Sequence, residues 1–121
     1  MSERFPDMEV YVLKAEASEI NDWLCTQFNT VEERKTTAKT VLWSVDGFEV
    51  LFTLNSNKNF ASLWFKENKT PWNNDLECGR ALHAALDKEV RCSNAAWQEN
   101  DEGPAWTKLI HGEEKDLDWD K

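Results

Sequence analysis

The sequence predicts an α+β fold: one mostly antiparallel sheet with a central β-meander and two helices packed on one face, in the order β-α-β-β-β-α-β with a possible further C-terminal hairpin. Three observations predict it. Asp46-Gly47 separates two alternating runs in TVLWSVDGFEVLFTL, the mark of a two-residue hairpin. The polar run Asn55 to Asn59 then links that hairpin to another strand, as in a meander. Two further stretches, SEINDWLCTQF and TPWNNDLECGRALHAALDKEV, repeat apolar residues at helical spacing. A length of 121 residues fits a single domain, 1–121, with residues 1–7 as a flexible N-terminus.

The first strand is MEVYVLKA, where Val10 and Val12 share one face and Tyr11 and Leu13 the other. Ser18 sits at an N-cap position, and Ile20, Trp23, Leu24 and Phe28 form the apolar stripe of a helix of about three turns. NTVEERKTTAK is polar, charged and threonine-rich, and reads as a connecting loop. In the hairpin, a type I′ turn at Asp46-Gly47 sets Val45 opposite Phe48, Trp43 opposite Val50 and Val41 opposite Phe52. That side is uniformly apolar. The other side pairs Leu42 with Leu51 and Ser44 with Glu49, so one face meets the core.

FASLWFK follows as the third meander strand, with Ala61, Leu63 and Phe65 on one face. In the second helix Asn74 and Glu77 resemble a capping box, and Cys78, Ala81, Leu82, Ala85 and Leu86 make the stripe that lies on the sheet. EVRCS is short enough for an edge strand, NAAWQENDEGPAW is a loop around Gly103-Pro104, and TKLIHGEEKDLDW can close the fold as a hairpin turning near His111 to Glu114.

Charge narrows the function. The net charge is -9, and residues 99 to 121 alone carry -5. Nucleic acids and anionic membranes are bound through Lys and Arg, so neither is an expected partner, whereas a protein with a basic surface is. No run of eighteen apolar residues occurs, and Glu3, Asp7 and Glu9 stand where a signal peptide needs a basic start and an apolar core. These features predict a cytoplasmic protein. Cys25, Cys78 and Cys92 form no close pair, so they read as small buried hydrophobes in a reducing compartment rather than as a disulfide framework.

Catalytic signatures are missing. His83 and His111 stand in no motif and read as an exposed or capping residue and a turn residue respectively. Cys78 and His83 are five apart on one helix, about 140° around its axis, and cannot readily share a metal. No phosphate-loop, dinucleotide, zincin or nucleophile-elbow string is present. The sequence therefore assigns no catalytic residue, no metal and no cofactor. An enzyme built on an unrecognised carboxylate pocket stays as an alternative, since a carboxylate pair leaves no motif.

The tryptophans and acids give the preferred reading. Trp23, Trp43 and Trp64 fall in regular elements and are assigned to the core, while Trp72, Trp97, Trp106 and Trp119 fall in loops or near the end. With Leu117 and Trp119 facing inward, Asp116, Asp118 and Asp120 form one outward row at about 6.8 Å spacing. Trp97, Trp106, Asp116, Asp118 and Asp120 thus make the candidate surface of a small acidic binding or regulatory protein. An acidic nucleic-acid mimic is the other alternative, although one row of three acids is sparse beside a duplex carrying a charge every ~1.7 Å.

Overall fold

The described residues form eight strands and two helices, in the order β1 (Met8–Leu13), α1 (Ala17–Gln27), β2 (Val31–Thr36), β3 (Thr40–Val45), β4 (Phe48–Asn57), β5 (Phe60–Phe65), α2 (Asp75–Leu86), β6 (Val90–Ser93), β7 (Trp106–Ile110) and β8 (Glu113–Leu117). The computed structural model describes residues 7–57, 59–73, 75–93 and 106–117. The strands form one sheet in the order β2-β3-β4-β5-β1-β6-β7-β8, with every neighbouring pair antiparallel. This is the expected α+β architecture with a larger sheet.

The hairpin folds as its sequence dictates. Asp46 and Gly47 have φ of +46° and +92°, the left-handed pair of a type I′ turn. Val45 meets Phe48, Trp43 meets Val50 and Val41 meets Phe52, in the anticipated register. Asp46 has a second task, because its carboxylate accepts the Thr30 N–H at 2.8 Å, the Thr30 hydroxyl at 3.0 Å and the Asn29 N–H at 3.2 Å. The Thr30 N–H, helped by the Asn29 N–H and the Thr30 hydroxyl, holds this carboxyl below its usual range. One turn residue thereby anchors the chain entering β2.

That entry corrects the sequence reading, in which 29–39 was a loop. Val31–Thr36 pairs with β3, and a bulge between Glu33 and Lys35 shifts its register. Only Val31 is half-buried and the next five residues are exposed, so burial imposed no apolar alternation that the sequence could display. Conversely, β6 is no edge strand, because it pairs with β1 on one side and β7 on the other.

One face of the sheet carries both helices and the core. Met8, Val10 and Val12 of β1 continue across Trp43, Val50, Phe52, Leu63 and Phe65 on one side and Val90, Cys92 and Leu109 on the other. Helix α1 starts two residues earlier than expected: Glu16 rather than Ser18 is the N-cap, and its N–H donates to Glu19 at 3.0 Å. Ile20, Trp23 and Leu24 are buried against the sheet.

Trp72, expected on a surface loop, is instead 8 % exposed in the core. Its ring stacks on Trp23 at 5.4 Å and 8° and meets Phe28 and Phe65 edge-on at 6.0 Å each. Edge-to-face and offset pairs add about 0.5–1.5 kcal/mol each beyond area burial, so this aromatic wedge fixes α1 to the sheet. The indole N–H groups of Trp23 and Trp43 are buried without an acceptor among the described residues, which offsets part of that gain by about 1–3 kcal/mol each. Trp64, assigned to the core from sequence, lies half-exposed on the opposite face, because its position alternates with those of Leu63 and Phe65.

Helix α2 comes close to β6 and β7 through a glycine. A Cβ on Gly79 would stand 3.2 Å from Cys92 Sγ, 3.3 Å from Leu109 Cδ1 and 3.4 Å from Val90 Cγ1. The expected stripe is accordingly rotated: Asp75, Cys78, Gly79 and Leu82 are buried, while Ala81 and Leu86 are half-buried and Ala85 is exposed. Asn74 of the proposed capping box lies outside the described residues; Glu77 accepts the Asn73 N–H at 3.1 Å. Cys25 is exposed, contrary to expectation, while Cys78 and Cys92 are buried. Burial, followed by the Asp75 charge, pushes the Cys92 thiol up to about 12 and the Cys78 thiol well above its usual range.

Replacing Gly47 with Val is expected to destabilise the protein by at least ~1 kcal/mol, because a β-branched residue resists positive φ at the turn. A denaturant midpoint unchanged from wild type would contradict this. Thiol titration is expected to find one reactive group in the native protein, Cys25, and all three after unfolding. Fast modification of Cys78 or Cys92 in the folded state would contradict their burial.

Candidate binding face

The sheet face opposite the helices is built from alternate residues that the core does not claim. Cross-strand register sets Leu42, Leu51, Trp64 and Glu9 side by side across β3, β4, β5 and β1. Continuing the Val10–Cys92 pairing by one residue brings Glu9 level with Ser93, and Ser93 pairs with Trp106. Two tryptophans and an acid therefore fall in one line across the sheet. Trp64 and Trp106 are three strand spacings apart, about 14 Å. Leu42, Leu51, Trp64, Glu9 and Trp106 are all half-buried.

Each member is held in place. The Trp64 indole N–H donates to Asp7 at 2.9 Å, and the Lys66 ammonium lies 5.4 Å above the Trp64 ring and 3.5 Å from Glu49. Ser62 donates its hydroxyl to Glu9 at 2.7 Å. Trp106 meets Tyr11 edge-on at 5.8 Å, and Tyr11 is itself only 3 % exposed. In the neighbouring row the Arg91 guanidinium lies 4.4 Å over Phe60 and donates to Glu89 at 2.8 Å. Such a face offers apolar contact, cation-accepting rings and carboxylates. Those groups suit recognition of a cationic surface.

The sequence-predicted site is only partly reassembled. Trp106 opens β7 on this face. Trp97, Asp118 and Asp120 lie outside the described residues. Residue 116 pairs with Thr107, which is buried on the helix-bearing face, and residue 117 pairs with Trp106. The side chains of Asp116 and Leu117, expected outward and inward respectively, lie outside those described. The tight turn at His111 and Gly112, with φ of +52° and +75°, sets Ile110 opposite Glu113 and so fixes every later pair.

Glu114, beside Leu109 in that register, is taken up by α2. Arg80 donates to it through Nε at 2.6 Å and Nη2 at 3.0 Å, a bidentate clamp that ties the helix to the sheet edge. The Arg80 hydrogen bond holds the Glu114 carboxyl below its usual range against the opposing effect of burial. At the other end of the helical layer, burial raises the Glu19 carboxyl, but the hydrogen bonds from Lys88, at 2.6 Å, and from the Glu16 N–H outweigh it and leave it lowered.

Sequence reasoning missed Leu42, Leu51, Trp64 and Glu9 as members of one row, because their alignment arises from pairing between distant strands. No group of three or more His, Cys, Asp or Glu among the described residues is arranged to hold a metal ion. No described helix is long and apolar enough to cross a membrane. No family model, no curated protein and no solved structure matches this chain.

Proposed function

We propose that the chain is a small acidic binding or regulatory protein of the cytoplasm that engages a protein partner with a basic surface through acids and aromatics on its helix-free face. The observation that carries this reading is the row running from Leu42 and Leu51 through Trp64 and Glu9 to Trp106, half-buried and without a helix over it among the described residues. Tryptophans are over-represented among residues that dominate binding energy, and a net charge of -9 raises the rate of encounter with a cationic protein. Two buried free thiols suit a reducing compartment. The nucleic-acid mimic is less well supported: Glu114, an acid of the C-terminal hairpin, is already neutralised by Arg80.

Affinity capture from the source cell, followed by binding kinetics on the retained protein, tests the proposal. The partner is expected to be basic and its binding to weaken with salt. Trp64→Ala and Trp106→Ala should each speed dissociation about 10-fold or more, whereas Glu9→Gln should slow association and flatten its salt dependence. Wild-type kinetics in all three variants, with their folds intact by circular dichroism, would remove this face as the binding site.

A further inference from the structure

His83 stands in the last turn of α2 with both ring nitrogens engaged. Nδ1 lies 2.7 Å from the carbonyl oxygen of Lys88, which can only accept, so Nδ1 carries a proton. Nε2 lies 3.1 Å from the backbone nitrogen of Gly112, whose N–H can only donate, so Nε2 must present its lone pair. Together the contacts fix one tautomer of the neutral ring. Lys88 leads into β6 and Gly112 belongs to the β7–β8 turn, so a single imidazole bridges the end of the helix to both. We propose that His83 is a proton-sensitive latch on the β7–β8 hairpin, closed while the imidazole is neutral and opened when a second proton reaches Nε2.

Protonation would set a donor against the Gly112 donor, and the contact cannot survive that change. Surrounding charges decide where the imidazolium goes. Asp87, just past α2, lines both of the clefts that His83 lines, and Glu89 lines one of them. Glu114 of the hairpin is held by Arg80 and is not available to replace Gly112 as a partner. The cations lining these clefts are Arg80, engaged with Glu114, Lys14, after β1, and Lys88, whose ammonium is turned to the Lys14 carbonyl at 3.0 Å and to Glu19. His111 is the other titratable group of the turn. An imidazolium is repelled by the Gly112 N–H, and carboxylates line the clefts on which it borders. Trp106 opens the same hairpin, so acid would loosen one end of the binding row; that consequence rests on the proposed function, and the latch does not.

Long-range proton–nitrogen NMR on the intact protein reads the tautomer directly. Near neutral pH the expected result is Nδ1 protonated and Nε2 bare. As His83 titrates, the protection factor of the Gly112 amide should fall at least ~10-fold with the same midpoint, and His111→Gln should leave that transition in place. His83→Gln, which cannot titrate, should abolish it. A proton on Nε2 at neutral pH, unchanged Gly112 protection through the His83 titration, or the same transition persisting in His83→Gln would overturn the latch. Should His83→Gln fail to fold, the tautomer and the Gly112 profile of the wild-type protein decide the matter alone.

Discussion

The sheet depends on β1. It pairs with β5 across Met8–Phe65 to Leu13–Phe60 and with β6 across Val10–Cys92 to Val12–Val90, so within the sheet it joins β2–β5 to β6–β8. Each partner is distant in sequence, and the entropy of closing those loops must be recovered by burial. The strand is built for that: Met8, Val10 and Val12 are buried beneath the helices, and Tyr11 is buried on the opposite face. Both helices are attached near it, α1 directly after it in sequence and α2 packed over it and, through Gly79, on β6 and β7. The Asp75 carboxylate at the start of α2 also accepts the β1 Glu9 N–H at 3.3 Å.

A central strand buried on both faces leaves the surface chemistry to the periphery. Edge strand β2 exposes Glu32, Glu33, Arg34 and Lys35 and carries a bulge, while edge strand β8 exposes Glu113, Glu114 and Lys115. Charged and bulged edges discourage pairing with another chain. The face without helices then becomes the remaining place for apolar contact, and there the side chains stand in half-exposed rows. Aromatic rings accordingly divide into two sets. Trp23, Phe28, Phe48, Phe65 and Trp72 bind α1 to the sheet, whereas Trp64, Trp106 and Phe60 lie on the other face.

What the sequence revealed follows from the range of the interactions involved. The hairpin at Asp46-Gly47 was readable to the individual residue pair, because turn chemistry and strand alternation are local. Both helices were readable, though the cap of α1 moved two residues to Glu16 and the buried face of α2 rotated where Gly79 let it approach. Strand β2 was not, since an exposed edge needs no apolar period. In the last hairpin the pairing of β8 is set by two left-handed residues, His111 and Gly112, of which only the glycine announces itself in the sequence. Of the candidate site, Trp106 was legible as a residue. Its alignment with Trp64 and Glu9 was not, because it is written in pairing between distant strands.

Native-state hydrogen exchange in increasing denaturant tests most directly whether β1 couples the two halves of the sheet. The amides of Val10 and Val12 are expected to exchange only through global unfolding, with the same opening free energy as protected amides in β5 and β6 and the same dependence on denaturant. A single high-energy unit spanning all three strands is the predicted result. Exchange of the β1 and β6 amides through a lower-energy opening, while β4 and β5 stay protected, would show that the halves are stable separately and that β1 is not the strand on which the fold depends.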